Sequence, residues 1–467
     1  MSDESTKKGS LRLGVLSRKR VIWALALGVS FLISAFAALR GGYAGADYQT
    51  HLTRILDSSR VFDFSMPDPP IYVLLGHGLF RLIGRNNGFP ITLSIVQATI
   101  NLLALWWFFL YSEPRFKSPV LHLALVVFLT FLPVRIMYSA CFGADWTTIP
   151  AFVLVLFLFD KFLSEETSTP KNAAWLGLGL ALGFWSKYSF VALLPAVFVI
   201  FAFLWWKRGW NLKRFVTICA FSLVLPSVLV LYSFWESTRV KNPVARTIWL
   251  PKEGAAGQPD MDWKDLLSVK AVDLELFRAP EMFKREAADG IGYHMGYRVA
   301  HKHSYLALSH LFTFTDTWNL FQDLPGPQSV DRFFNTDYKV RPPWKTPVNM
   351  ASMSFGTLWT VLALIGTPWI FFGAIKNLWK DKLKREDAAA FLGIAYFLLM
   401  FLPIPFVYHG CRDGFWTSRL ILAPLLFFFW AGFLLLDRTI VAKSEKIAFV
   451  VLALVLVQSG IEIVMLT

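Results

Sequence analysis

Apolar residues occur along this chain in long runs, separated by short polar segments from one end to the other. A run of about 20 apolar residues matches the ~30 Å hydrocarbon core of a bilayer, whereas a soluble amphipathic helix repeats its apolar positions every three or four residues. The run 173–206 would be about 50 Å long as one helix, so we divide it near residues 185–188. The pattern predicts an all-α polytopic membrane protein with about eleven transmembrane helices. The expected spans are 21–39, 89–110, 119–138, 147–163, two within 173–206, 215–235, 355–375, 388–407, 420–436 and 447–466.

Polar segments divide the chain into four parts. Residues 1–20 are a basic cytoplasmic segment, and residues 21–235 hold the first seven spans with a first outer loop, 40–88. Residues 236–351 form a large polar outer loop, and residues 352–467 hold the remaining four helices. The first apolar run is longer than the roughly 7–15-residue core of a signal peptide, so we favour an uncleaved first span over a cleaved leader.

Composition and charge support the membrane assignment. The 467 residues are 55% hydrophobic and only 17% charged, against about 25% charged in a typical soluble domain. Six short segments expected on the inside hold 22 of the 46 basic residues and 11 acidic ones, whereas the loop 236–350 holds 15 basic and 14 acidic residues. The net charge of +14 is therefore mostly a topology signal. The sequence shows no nucleic-acid recognition module, and its three cysteines make no disulfide framework.

The first outer loop combines an ionisable helix face with a proline-rich turn. If residues 47–58 are helical, Asp47, His51 and Arg54 share one face. We expect this amphipathic juxtamembrane helix to lie on the bilayer surface with those groups beside the lipid headgroups. The turn MPDPP then resets the backbone, and a second mostly apolar segment, 71–84, is too short to span the bilayer comfortably.

Further polar side chains are expected at the same outer ends of the spans. They are Asp145 between spans three and four, Lys187 between spans five and six, and Arg412 and Arg419 before span ten. Ionisable residues at the membrane edge are costly and are functional candidates by default. Fixed cations stabilise an anionic phosphate leaving group, and a carboxylate can take the proton of an attacking hydroxyl. The set therefore favours chemistry on a lipid-borne phosphate substrate.

Each candidate also has a structural interpretation. Asp47 and Asp145 could cap helices, Lys187 and Arg419 could extend from span ends toward the headgroups, and Arg412 could pair on the surface with its acidic neighbour. The four histidines of the large loop fit no standard metal-ligand spacing. We predict no metal site from them, and a divalent cation supported by Asp145 stays an open alternative.

Three stretches of this sequence, and a fourth that matches less well near the C-terminus, occur in the same order as motifs of a known protein family. They are PPIYVLLGHGLFRLIG, LPVRIMYSACFGADWTTIPAFVLVLFLF and LGLALGFWSKYSFVALLP, with TSRLILAPLLFFF as the looser echo. These stretches resemble the integral-membrane glycosyltransferase C superfamily, particularly its protein O-mannosyltransferase and lipid A aminoarabinose transferase branch. The resemblance places Asp47 and Asp145 on the family's two acidic positions and Lys187 on its lysine. Many members have Asp-Glu in the first loop, whereas this chain has Asp47 followed by Tyr48.

The resemblance implies an inverting glycosyltransferase that moves a sugar from a polyprenyl-phosphate donor to an acceptor hydroxyl at the outer face of the membrane. Asp47 would be the catalytic base, and the phosphate-binding residues would be Arg419, Lys187 and Arg412. The supporting residues would be His51, Asp145, Tyr138 and Arg54. The expected partners are the lipid-linked donor, a lipid, glycan or protein acceptor and the bilayer, with no nucleic acid. We expect a bacterial inner membrane and a site facing the periplasm.

Two other functions stay open. A lipid-linked glycan ligase or polymerase would use a pyrophosphate donor at a similar site. A transporter or flippase of lipid-linked sugar would instead line a path through both leaflets with polar groups, and few ionisable residues lie at mid-span.

Overall fold

In this computed structural model the described residues are 3–40, 48–57, 70–84, 86, 88–141, 143–163, 167–239, 271, 305–315, 344–380, 382, 385–401, 422–442 and 444–466. Throughout these ranges the regular structure is helical, which confirms the predicted all-α class. The helices are α1 Asp3–Leu39, α2 Tyr48–Leu56, α3 Pro70–Ile83, α4 Phe89–Ser112, α5 Pro119–Phe131, α6 Pro133–Ala140, α7 Thr148–Leu163, α8 Pro170–Ser186, α9 Leu193–Arg208, α10 Leu212–Arg239, α11 Tyr305–Phe314, α12 Lys345–Trp379, α13 Arg385–Phe401, α14 Leu422–Leu436 and α15 Glu445–Leu466.

The helices agree with the predicted spans in position. Within the described ranges, eight helices are long and apolar enough to cross a membrane, and the bent pair α5–α6 would make a ninth. The two other predicted spans correspond to α8 and α13, each 17 residues long. The chain is a multi-pass integral membrane protein, and the count of eleven spans is not confirmed.

The third predicted span is broken at Pro133, where α5 and α6 meet at an angle of 44°. Proline removes one backbone donor and clashes with the preceding turn, so a helix kinks there. Arg135, fully buried in α6, donates to the Thr130 carbonyl at the end of α5 and to the Ser30 hydroxyl of α1. A cation at the C-terminal end of α5 suits the carbonyls left unpaired by the break.

Aromatic rings join the two halves of the bundle. Phe128 of α5 lies 4.9 Å from Phe429 of α14 and 5.7 Å from Trp359 of α12, ring centre to ring centre. Trp359 in turn stacks on Phe433 at 5.2 Å. Such pairs add to the dispersion energy of a close-packed interior, which matters in a bilayer where the lipid tails are equally apolar.

Helix α11, which falls within the predicted large polar loop, lies inside this bundle. Helix α11 packs against α6 and α12, and Phe314 at its end is fully buried. Gly356 of α12 allows this approach, because a side-chain carbon at that position would overlap the Phe314 ring. Residues 305–314 are therefore part of the helical core.

Candidate functional site

Lys187 and Asp145 form a buried ion pair. The Lys187 Nζ donates to Asp145 Oδ1 at 2.6 Å, and the two side chains are only 10% and 7% exposed. Two opposite charges taken out of water together compensate each other only when their geometry is close, as it is here. The Lys187 side chain is therefore buried and paired, and it does not extend toward the headgroups.

Local breaks in helical structure place both charges. Helix α8 ends at Ser186, and Lys187 adopts an extended conformation before the 3-10 turn Tyr188–Ala192 begins. Gly183 permits this turn to fold back, because Phe190 occupies the space that a side chain at residue 183 would fill. Asp145 opens another 3-10 turn, Asp145–Thr147, just before α7. Each side chain thus projects inward from an interruption between two helices.

The two interruptions are joined by further hydrogen bonds. The Thr147 hydroxyl donates to the Ser186 carbonyl at 2.9 Å. On the other side of Lys187, the Ser189 and Tyr396 hydroxyls share a hydrogen bond of 2.6 Å, which ties the turn to α13. The pair is therefore held by contacts from three parts of the chain. We refer to this end of the bundle as the site end.

Helices α2 and α3 form a hairpin from the first loop. The His77 Nδ1 donates to the Ile55 carbonyl at 2.8 Å, and Arg81 Nε donates to the other ring nitrogen at 3.2 Å. Gly76 brings the two helices close, because a side-chain carbon there would lie 2.5 Å from Ile55 Cδ1. The prediction of two short helices in this loop agrees with the structure.

The orientation predicted for α2 is wrong. His51 and Arg54 are fully buried against protein, so they do not lie beside lipid headgroups. The His51 ring contacts Tyr72 edge-on at 5.2 Å, and Tyr72 contacts Trp146 at 6.4 Å. His51 and Arg54 are buried because the nine-residue helix α2 packs into a small core. That core contains Ile55, Tyr72 and Trp146, and it covers the ionisable side of α2 as well as its apolar side.

The hairpin lies directly on the turn that carries Asp145. Its small core includes Ala144 and Trp146, the residues on either side of Asp145. A side-chain carbon at Gly143 would lie 3.6 Å from His51 Nε2. The His51 ring therefore lies beside the residues that precede the Asp145 turn. Gln97 of α4 anchors the same segment by donating to the Cys141 carbonyl at 2.9 Å. The structure thus brings His51 close to the segment that leads to Asp145.

The other predicted site residues divide into two groups. Tyr138 is buried in α6, one turn before the segment leading to Asp145. Asp47, Arg412 and Arg419 lie outside the described residues. Asp47 directly precedes the first residue of α2 in the sequence, and its role stays a prediction.

Several buried ionisable residues were missed by the sequence analysis, and two of them illustrate the signal. Arg135 lies in the broken span, and Glu462 of α15 is fully buried and accepts a hydrogen bond from Gln458 at 2.7 Å. Both could have been found from a charge inside an apolar run, which is a recognisable signal in a membrane protein. In the described part of the chain, no group of three or more histidine, cysteine or acidic side chains is arranged to hold a metal ion.

Part of this chain matches a known protein family. Residues 67–234 match the family model described as dolichyl-phosphate-mannose-protein mannosyltransferase. Among curated proteins, no sequence match is found.

Two solved structures are similar at 12% sequence identity. One is the apo crystal structure of the Archaeoglobus fulgidus oligosaccharyltransferase, with a TM-score of 0.46 over 95% of this chain and 55% of that one. This chain thus spans about half the length of the archaeal protein. The other is ArnT from Cupriavidus metallidurans bound to undecaprenyl phosphate, with a TM-score of 0.33 over 89% of this chain and 77% of that one.

The matched segment runs from the proline-rich turn through most of α10, so it contains Tyr138, Asp145 and Lys187. It also contains three of the four sequence stretches that suggested a family. The match confirms the predicted resemblance to the glycosyltransferase C superfamily and its protein O-mannosyltransferase branch.

Proposed function

We propose that this protein is an inverting glycosyltransferase that takes a sugar from a polyprenyl-phosphate donor and transfers it to an acceptor hydroxyl at the site end. The observation that carries the proposal is the buried Asp145–Lys187 pair, because it holds a cation at the edge of the bundle within the segment that matches mannosyltransferases. A fixed ammonium group there can stabilise a phosphate leaving group as negative charge develops on it.

Lys187 can serve a phosphate without releasing Asp145. An ammonium group has three donors, and in the described structure Asp145 Oδ1 accepts from one of them. The remaining donors are available to oxygens of the donor phosphate, while the carboxylate fixes the direction of the lysine side chain. Asp145 would then be a positioning residue for Lys187.

The acceptor side of the reaction is assigned to Asp47. Its carboxylate would take the proton of the acceptor hydroxyl, whose oxygen attacks the anomeric carbon as the bond from that carbon to the phosphate oxygen breaks. The phosphate leaves with its charge held by Lys187, Arg419 and Arg412. The position of Asp47 next to α2, whose residue His51 reaches the Asp145 turn, supports this assignment.

The donor class can be tested directly with purified protein. We expect sugar transfer from polyprenyl monophosphate donors and none from the matching pyrophosphate donors, because the description of the matching family model names a monophosphate donor, dolichyl-phosphate-mannose. Mass spectrometry of co-purifying lipid would identify the donor chain and its sugar independently. Transfer only from the pyrophosphate donor would favour a ligase or polymerase, and transport of the donor without transfer would favour a flippase.

The finer assignments follow from the same proposal. The acceptor is a lipid, a glycan or a protein, and the membrane is the bacterial inner membrane with the site facing the periplasm. The bias of basic residues toward the opposite loops supports this orientation.

A further inference from the structure

A second polar feature lies at the opposite end of the bundle. Helix α9 begins just after the site end and ends at Arg208, and α12 reaches the same level at Trp379. There the two helices present a surface that we call the basic-aromatic patch. Its residues are Trp206, Lys207, Lys376, Trp379, Lys380 and Lys382.

Lys207 is held between two indole rings from different helices. Its Nζ lies 4.6 Å from the Trp206 ring centre and 4.4 Å from that of Trp379, and the two rings meet at 5.6 Å with an angle of 66° between their planes. This is cation–π geometry on both sides. The rings stay largely open to the surroundings, with Trp206 60% and Trp379 58% exposed.

The patch has four lysines, and the sequence places one acidic residue, Asp381, between two of them. Among the described residues, no carboxylate lies within 4 Å of Lys207, Lys376, Lys380 or Lys382. The sequence 207–214 has four basic residues and no acidic ones. Asp387, a nearby carboxylate, is buried and accepts from Asn377 Nδ2 at 3.2 Å. Three of the four lysines are therefore exposed, and the fourth, Lys207, is held between the two indole rings.

Exposed indoles beside exposed lysines distinguish this surface from an ordinary solvated face. Tryptophan prefers the boundary between hydrocarbon and water, because its ring is apolar while its N–H is polar. The patch therefore lies at the level of the lipid headgroups. Basic clusters at that level on the inner side attract anionic phospholipids, and the charge bias of the loops assigns this end of the bundle to the inside.

We propose that the basic-aromatic patch binds the headgroup of an anionic phospholipid. The lipid phosphate contacts the Lys207 ammonium and the lysines at the end of α12, while the upper acyl chains pack on Trp206 and Trp379. Charge complementarity selects this occupant, and the open indole faces match its apolar part. The site is separate from the proposed glycosyltransferase centre and does not depend on it.

The test uses the full-length protein in phosphatidylcholine nanodiscs, with phosphatidylglycerol added in steps and bound lipid counted by native mass spectrometry. We expect phosphatidylglycerol to be retained in preference to phosphatidylcholine. Lys207→Met keeps the length of the side chain and removes its charge, so it should lower that preference about fivefold, the ratio that corresponds to ~1 kcal/mol per basic residue near an anionic surface. Lys207→Arg should keep it.

Lys446→Met is the matched control, because Lys446 is an exposed lysine at the start of α15. It should lower the lipid preference less than Lys207→Met does, because no indole pair clamps this lysine among the described residues. Trp379→Phe gives a second variant that keeps a ring and weakens the cation–π contact, and it should lower the preference partly. Equal retention of both lipids by the wild type, or an equal loss in Lys207→Met and Lys446→Met, would overturn the proposal. Saturable binding of an acidic soluble protein to the patch in place of lipid would also overturn it.

Discussion

The Lys187 ammonium and the Asp145 carboxylate meet at 2.6 Å inside the bundle although 41 residues separate them in the sequence. Each residue comes from a point where a helix is interrupted, and a Thr147–Ser186 hydrogen bond joins the two interruptions. A continuous helix would direct such side chains along its own surface. Breaking both helices at the same level lets the two charges turn toward each other and away from lipid.

The two roles of this pair, structural and functional, can be separated by substitution. Lys187→Met leaves Asp145 buried without its cation, which should cost about 3–5 kcal/mol of stability. Adding Asp145→Leu removes the buried carboxylate as well, so the double variant should recover most of that stability. Thermal unfolding of the purified variants in detergent measures both effects.

Sugar transfer should respond differently from stability. If Lys187 contacts the donor phosphate, the double variant stays inactive even though it unfolds at a temperature close to that of the wild type. Lys187→Arg should keep partial activity with a raised KM for the donor, because the charge remains while its geometry changes. Recovery of full transfer in the double variant would show that the pair is only structural.

A second prediction concerns the assigned base. Asp47→Asn should lower sugar transfer by about 10²–10⁴-fold, the usual contribution of a general base, while the protein still inserts and unfolds at the wild-type temperature. Donor binding should be retained, because the amide keeps the shape of the carboxylate. Asp57→Asn, in the same loop, is the control and should stay active. Wild-type transfer by Asp47→Asn would remove Asp47 from the mechanism.

The sequence was sufficient to predict the positions of the long apolar helices in the described part of this protein, because a membrane span needs about 20 apolar residues and leaves an obvious signal. Helix α11 was not predicted, because its ten residues lie within a polar segment. The break near Lys187 was also predictable, since the run 173–206 is too long for one span. Asp145 and Lys187 were expected among the polar side chains at the outer ends of the spans, and in the structure the two side chains are in contact.

Side-chain orientation in the first loop was not predictable in the same way. A nine-residue helix has an apolar and an ionisable side, and the sequence alone favours placing the ionisable side toward water. In the structure the Tyr72 ring of α3 contacts His51, and Tyr72 in turn contacts Trp146, so both rings come from other parts of the chain. A tertiary contact of this kind leaves no periodic signal, which is why the burial of His51 and Arg54 was missed.

A third prediction follows from the close approach of α2 and α3. Gly76→Ala places a methyl group 2.5 Å from Ile55 Cδ1, and overpacking of this kind typically costs about 1–3 kcal/mol. The hairpin has its own small core, so we expect local loosening, seen as faster amide hydrogen exchange in α2, with reduced sugar transfer. Unfolding of the main bundle should change little.

Gly78→Ala is the matched control for this prediction. It lies on the same helix two residues away, and nothing is within 4 Å of the position its side chain would take. Alanine also favours helix over glycine, so this variant should be neutral or slightly more stable. Equal hydrogen exchange in the two variants would show that the contact with Ile55 does not hold the hairpin.

A fourth prediction concerns the hydrogen bond between Ser189 and Tyr396, which ties the turn after Lys187 to α13. Tyr396→Phe keeps the ring, which packs 5.2 Å from Phe190, and removes only the hydroxyl. The loss should cost about 1 kcal/mol, as for a typical hydrogen bond between neutral groups. A double-mutant cycle with Ser189→Ala should give a coupling energy of the same size, measured by thermal unfolding.

Because the turn also positions Lys187, both variants should raise the KM for the donor, by less than Lys187→Arg. Tyr232→Phe, on the exposed side of α10, should change neither quantity. Additive effects of the two substitutions would mean that this hydroxyl pair does not support the site.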